Sequence, residues 1–146
     1  MNDVLYEGMI PLNPKTKKNS QEILYKHIYS PKGVYSKTRG ILKYLGVPFI
    51  SQSKAYKQYE KDSGWFVKRK GEPIDKPVNV KCLFYRKDAI RCDLTNLLEA
   101  IDDILVKYGV LKDDNFKVIA GHDGSRVFID RENPRTEIVI EDISDI

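Results

Sequence analysis

The sequence predicts a small α/β (α+β) domain, a mixed β-sheet with two main helices packed on it. Segments of alternating apolar residues lie towards both ends of the chain, and two segments with helical spacing of apolar residues lie between them. The 146 residues suffice for one buried core. We therefore expect a single domain over residues 1–146.

The outer elements follow from β-branched and aromatic residues and from turn residues. An Asp-Gly turn at 123–124, followed by apolar residues 127–129, predicts a hairpin with the preceding strand. A basic helix is expected over 52–70, capped by Ser51 and bent at Gly64, with Trp65 and Phe66 in the core. Strands are expected at 4–12, 46–50, 76–86, 116–120 and 137–143.

The second helix is the most strongly patterned element. Its apolar residues form the stripe of a helix packed on a core, with Asp93 placed to cap its start and Gly109 its end. Asp102 lies at the border of the polar face, nearer the apolar side. The stripe comprises Leu97, Leu98, Ile101, Ile104, Leu105 and Tyr108, and the polar face comprises Thr95, Asn96, Glu99 and Asp103.

Acidic residues collect around this helix. If the loop after Gly109 folds back, Asp113 and Asp114 share a pocket with Asp93, Glu99 and Asp103. Carboxylates so close repel one another unless a cation or a proton neutralises them. Mg²⁺ is the natural cation for oxygen ligands. The alternative from spacing alone is a solvated helix face with an acidic start.

The charges are unevenly distributed. Residues 1–91 carry 19 Lys or Arg against 8 Asp or Glu, a surplus of 11, whereas residues 92–146 carry 6 against 13, a deficit of 7. A basic front beside an acidic pocket suits an enzyme that attracts a polyanion. It equally suits a domain whose halves attract each other.

Two basic segments precede the acidic one. The loop containing Lys15, Lys17 and Lys18 is placed to face phosphate or to be an ordinary solvated loop. Tyrosines alternate with lysines over 22–46, a pattern that suits base stacking with phosphate pairing, or a surface insertion anchored by tyrosines. Arg86 and Arg91 lead into the acidic centre.

Other residue types limit the function classes. Two cysteines and no Cys/His cluster predict reduced thiols and no zinc site. No apolar run is long enough for a membrane span and no signal-peptide pattern is present, so we expect a cytoplasmic protein without membrane contact. His122, in a turn, is expected to be merely exposed.

The centre resembles the RusA family of Holliday junction resolvases. That family's core is roughly Asp-x-Asp-Asn-x-x-Lys-x-x-x-Asp-x-Leu, followed by an Asp-Asp pair after a Gly-containing turn. Here Asp93, Asn96, Asp103 and the pair Asp113-Asp114 occupy matching positions. The flanks match more loosely, and 22–46 is an insertion relative to compact members.

Two positions depart from the family pattern. The second acid is Thr95 and the lysine is Glu99, one helical turn apart on one face. A linked exchange keeps the number of acids unchanged while moving one of them by about a turn, roughly 6 Å. The alternative is a site that has lost activity in a protein that only binds junctions.

The resemblance implies a homodimeric, Mg²⁺-dependent endonuclease for four-way DNA junctions, with Mn²⁺ as a substitute. It implies catalysis by Asp93, Glu99, Asp113 and Asp114, and metal binding by Asp93, Asp103, Asp113 and Asp114. Asn96 and Thr95 would support the site, and Lys15, Lys17, Lys18, Arg86 and Arg91 would bind DNA. The rivals are an inactive junction-binding module, a metal nuclease for other branched DNA, and a protein-interaction domain.

Overall fold

The structure, a computed structural model, describes residues 2–17, 21–27 and 46–145, so residues 28–45 of the predicted insertion lie outside the described part. In chain order, the strands and helices there are β1 (Val4–Ile10), β2 (Gln21–His27), β3 (Gly46–Gln52), α1 (Lys54–Ser63), β4 (Val78–Arg86), α2 (Leu94–Lys107), β5 (Ile119–Gly121), β6 (Arg126–Ile129) and β7 (Arg135–Asp142).

The main sheet is mixed, as predicted. It runs β1–β7–β4, with both pairs antiparallel, and β4 is continued on its other side by β5 and β6, each parallel to it. β2 and β3 pair antiparallel as a separate two-stranded sheet. β2 lies largely in the stretch of alternating tyrosines and lysines, where no strand was predicted.

One core joins the sheet to the two helices. The inward residues of β4 alternate with partly exposed ones, so that Val80, Cys82 and Phe84 are fully buried. α2 contributes its predicted apolar stripe, including the buried Ile101 and Ile104. Burial of a side chain of this size stabilises a fold by about 1.5–3 kcal/mol. The predicted stripe is therefore what holds α2 on the sheet.

The end of α2 is set by Gly109, as predicted. Gly109 has a φ of 80°, a conformation that L side chains rarely adopt. Its N–H donates to Val106 O at 3.1 Å, and the N–H of Val110 donates to Leu105 O at 2.9 Å. This pair of bonds is the Schellman arrangement, which satisfies carbonyls at the helix end and turns the chain back towards Asp113 and Asp114.

The first helix is shorter than predicted. α1 ends at Ser63 rather than Lys70, and its N-cap is Ser53, whose Oγ accepts from the N–H of Tyr56 at 3.2 Å. The prediction that Trp65 and Phe66 belong to the core is wrong, because they are 72% and 43% exposed. The helix stops at Gly64, so the aromatic side chains beyond it no longer follow the buried helical face.

The predicted hairpin is also wrong. β5 and β6 do not pair with each other, because both lie along the same edge of β4. The turn between them is present, with Ser125 N–H donating to His122 O at 3.1 Å and Gly124 at φ 85°. Phe116, expected in a strand, precedes β5 and is 78% exposed.

Side-chain hydrogen bonds between β4 and this turn hold the turn in place. The Nδ2 of Asn79 donates to Asp123 O at 3.1 Å, and its Oδ1 accepts from the N–H of Asp123 at 2.7 Å. The Oγ of Ser125 accepts from the N–H of Cys82 at 3.0 Å. Asn79 is buried, so these bonds face little competition from water. They fix the position of His122, which stands at the start of the turn.

We expect Asn79→Leu to lower the free energy of unfolding by about 1–3 kcal/mol, because two backbone groups of Asp123 lose their partners. Urea denaturation measures the loss, and hydrogen exchange at 122–125 locates it. Exchange in that turn equal to the wild type would show that Asn79 does not hold it.

Candidate active site

An acidic cleft of about 210 Å³ opens beside α2. α2 supplies one wall, the loop that follows it supplies Asp114, and the turn after β5 supplies His122. Three carboxylates and one imidazole therefore face a small space. The lining residues are Thr95, Leu98, Glu99, Asp102, Asp114 and His122.

The closest contact in the cleft joins Asp102 to His122. The Nε2 of His122 lies 3.0 and 2.9 Å from the two carboxylate oxygens of Asp102. Burial raises the pKa of the Asp102 carboxyl, the hydrogen bond and charge of His122 lower it, and the charges of Asp114 and Glu99 raise it further. The net direction is upward. Asp102 is thus a buried acid that three neighbouring side chains influence.

Little in the sequence indicates this pair. The prediction that His122 is merely exposed is wrong, because its ring contacts Asp102 and only 28% of its side chain is exposed. Asp102 was assigned to the border of the apolar face, and its side chain is largely buried. The pair depends on the placement of the turn by Asn79, a contact between residues 44 positions apart.

The predicted acids are distributed among several environments. Glu99 and Asp114 line the cleft, as the folded-back loop predicted. Asp103 instead accepts a hydrogen bond from the Nζ of Lys17. Asp113 accepts from the N–H of Asp114 at 2.7 Å and from the Nδ2 of Asn115 at 3.0 Å, and these bonds lower its pKa. The Asp113 carboxylate therefore stabilises the turn in which Asp113 itself lies.

Asp93 stands at the predicted N-cap of α2 without capping it through its side chain. Its carboxylate is 3.5 Å from the Nδ2 of Asn96, while its carbonyl accepts the first helical bonds. Asp93 is exposed and lies outside the cleft lining. Thr95, two residues on, lines the cleft beside Glu99, so the two positions that depart from the family pattern do share one surface.

A second cleft, of about 310 Å³ and basic, lies between the N-terminal loop and the segment that joins the end of β4 to α2. Lys15, Arg86 and Arg91, all predicted to bind DNA, line it together with Lys87. The N–H of Lys87 donates to the Oδ1 of Asn13 at 3.0 Å, which joins the N-terminal loop to the end of β4. Two segments far apart in sequence, the N-terminal loop and the end of β4 with the loop after it, therefore present cations to one space.

The two other predicted lysines are placed differently. Lys17 pairs with Asp103 on α2, so it links the N-terminal loop to the helix that forms the acidic cleft. Lys18 lies outside the described residues. The pairing of Lys17 leaves its stem beside α2 rather than in the basic cleft.

Residues 14–141 match the model of the family described as Endodeoxyribonuclease RusA. The chain belongs to the endodeoxyribonuclease RusA family. No curated protein matches the chain. The matched range includes every lining residue of the acidic cleft and all but Asn13 of the basic one, and membership supports a nuclease function for the chain.

The cleft of this RusA family member has the donor groups of a divalent-cation site but not their arrangement around an ion. Glu99, Asp102 and Asp114 offer the carboxylate oxygens that Mg²⁺ prefers. Asp114 and Glu99 raise the pKa of Asp102, and a cation would relieve that repulsion. Within the described ranges, no group of three or more His, Cys, Asp or Glu side chains is already arranged to hold a metal ion. Among the same residues no helix is long and apolar enough to cross a membrane.

We expect His122→Gln to raise the pKa of Asp102 further. The substitution removes the charge of His122, a charge that lowers the pKa of Asp102, while burial and the charges of Asp114 and Glu99 remain. Carboxyl ¹³C chemical shifts followed against pH measure the change. Asp123→Asn is the control, since it removes a neighbouring charge without touching the pair. A lower pKa of Asp102 in His122→Gln would contradict this electrostatic account.

Proposed function

We propose that this RusA family member is a divalent-metal-dependent endonuclease that resolves four-way DNA junctions in recombination and repair, acting in the cytoplasm as a homodimer. Membership over residues 14–141 supports the reaction class and the branched DNA substrate. The presence of both an acidic cleft and a basic cleft supports phosphodiester cleavage of a polyanion. The observation that carries the proposal is the convergence of Glu99, Asp102 and Asp114 on one cleft.

In this proposal the ion is held by Asp114 and Glu99, with Asp102 beside them. Asp93 remains among the proposed metal-binding residues, because α2 starts immediately after it and Thr95, two residues on, lines the cleft. A bound Mg²⁺ or Mn²⁺ would activate water and stabilise the departing oxygen of the phosphodiester. Asp103 and Asp113 have other partners and serve to position the loops.

The protein's own residues have separate roles in this proposal. His122 orients the carboxylate of Asp102 from the turn after β5. Lys15, Arg86 and Arg91 hold the DNA backbone in the basic cleft, which supplies affinity with little sequence preference. Lys17 keeps the N-terminal loop against α2, so that the loop's cations are held near the acids.

Glu99 takes the place of the acid that the family pattern has at Thr95. Both residues line the cleft, so an acid at either position presents negative charge to the same space. The same departure supports the rival function, a junction-binding module without activity. The two functions differ in whether the charge at Glu99 is needed for cleavage.

We expect Glu99→Gln and Asp114→Asn each to slow cleavage of a synthetic four-way junction on the order of 10²–10³-fold in Mg²⁺. Junction binding should be retained or tightened, because a negative charge near phosphate is removed. Thr95→Ala should be mild. Product gels and binding isotherms provide the two measurements.

Asp103→Asn is the matched control, because it removes a carboxylate charge of α2 that faces Lys17 instead of the cleft and keeps an oxygen that accepts from Lys17. It should slow cleavage by less than about tenfold, far less than the loss of rate expected for Glu99→Gln and Asp114→Asn. If Asp103→Asn is as damaging as Asp114→Asn, the ion is held on the other side of the helix. If wild type cleaves nothing in Mg²⁺ or Mn²⁺ yet binds junctions, the inactive binding module is correct.

Replacing Lys15, Arg86 and Arg91 together by Gln should weaken junction binding and flatten its salt dependence. Each lost phosphate contact reduces the log–log slope by about 0.9. Lys54, Lys61 and Lys70, exposed and outside the basic cleft, replaced by Gln provide a control of equal charge. Equal slopes for the two triple variants would mean that the basic cleft does not hold the DNA backbone.

A further inference from the structure

Two large aromatic side chains project into solvent immediately after α1. Trp65 is 72% exposed and Phe66 is 43% exposed. Neither residue lines the acidic cleft or the basic cleft. Rings of this size gain much from being covered, and exposed aromatic side chains that adjoin one another mark an interaction surface. The two rings therefore form a surface that neither cleft explains.

The backbone holds these rings in a fixed position. The N–H groups of both aromatic residues donate to carbonyls of the last turn of α1, at 3.1 and 3.0 Å. Val67, the next residue, is only 1% exposed and anchors the segment in the core. A Cβ at Gly64 would lie 2.5 Å from the ring of Tyr108, so the backbone there packs directly on the end of α2. A rigid segment loses little conformational entropy when its side chains bind a ligand.

Two cations adjoin the rings. The Nζ of Lys68 lies 5.7 Å from the centroid of the Trp65 ring, within the range of a cation–π contact. The Nε of Arg69 donates to the carbonyl of Glu72 at 3.2 Å, which fixes the direction of the Arg69 side chain. Residues 65–69 include no acid, and neither cation forms an ion pair with a described residue. Both positive charges are thus available to an anion beside the rings.

We propose that the two rings stack on the bases of an unpaired nucleic-acid strand while the two cations pair with its phosphates. The four residues of this stacking site are Trp65, Phe66, Lys68 and Arg69. Aromatic side chains next to cations bind single strands in this way, with little sequence preference. A duplex presents phosphates and groove edges but keeps its base faces stacked, so exposed rings favour unpaired nucleotides.

Membership in an endodeoxyribonuclease family favours a nucleic-acid strand over an acidic protein segment, which would also neutralise the two cations. The stacking site lies at the Tyr108 end of α2, whereas the acidic cleft is lined by residues of α2 no later than Asp102. Six helical residues separate the two positions by about 9 Å along the axis. The stacking site deepens the proposed function, on which its nucleic-acid ligand rests, by adding an unpaired strand to the four-way junction.

Trp65 is the chain's single tryptophan, so its fluorescence reports directly on the stacking site. We expect oligothymidylate of about 16 nucleotides, titrated in EDTA to prevent cleavage, to quench this fluorescence by stacking. An abasic oligomer of the same length should bind more weakly and leave the fluorescence unchanged, as should polyglutamate of matched charge. Absence of quenching by oligothymidylate, or equal quenching by polyglutamate or the abasic oligomer, would overturn the proposal.

Substitutions test the rings and the cations separately. Phe66→Ala should weaken binding of labelled oligothymidylate about tenfold, measured by anisotropy, because one stacked ring is lost. Lys68→Gln combined with Arg69→Gln should reduce the log–log salt slope by about 1.4, or about 0.7 for each phosphate contact. Phe116→Ala is the matched control, because it removes a ring that is 78% exposed outside the stacking site, and it should leave the affinity unchanged.

Unchanged affinity in Phe66→Ala, or an equal loss in Phe116→Ala, would show that the stacking site does not bind the strand. Cleavage of a four-way junction by the wild type is measured separately. A protein that cuts junctions but fails the strand-binding tests retains the proposed nuclease function without the stacking site. A protein that passes the strand-binding tests but cuts nothing retains the stacking site without the nuclease function.

Discussion

The packing of α2 on the sheet determines where the acidic residues of the helix lie. Burial of its apolar stripe fixes the rotation of the helix, and the rotation decides where every polar residue of the helix points. Glu99 and Asp102 face the turn after β5, whereas Asp103 faces the N-terminal loop. One hydrophobic contact surface thus separates carboxylates that adjoin in sequence into two environments.

Holding acids together in this way opposes folding. Asp102 is partly desolvated and is also influenced by the charges of Asp114 and Glu99, so its pKa rises. The His122 contact offsets part of that cost. The bonds of Asn79 and Ser125 hold the turn that carries His122. Clustered charge without full compensation is typical of sites that bind a cation or perform chemistry.

The features that depend on neighbouring residues in the sequence were predicted from the sequence. The stripe of α2, its end at Gly109 and the strand at β4 follow from periodicity and from residue conformational preferences, and all are present. The pairing of β5 and β6 with β4 was missed because an Asp-Gly turn carries no information about which strand its flanks will join. The end of α1 was missed because the aromatic residues beyond Gly64 resemble a continued helix.

The candidate site was predicted only in part, because local spacing brings together some of its residues and not others. Glu99 and Asp114 could be brought together from helix geometry and one return loop. The Asp102–His122 pair required knowledge of a turn held by a residue on another strand, which sequence spacing does not contain. The basic cleft likewise joins residues near positions 15, 86 and 91, whose shared location follows from the contact of Asn13 with Lys87.

We propose that the acidic cleft cuts branched DNA with a divalent ion. Incubating the wild-type protein with a synthetic four-way junction, a flap and a linear duplex, each with and without Mg²⁺, and mapping the products tests this directly. We expect paired cuts in the junction with Mg²⁺, none without it, and little cleavage of the linear duplex. Cleavage of all three substrates at similar rates, or unchanged cleavage of the junction in EDTA, would contradict the account.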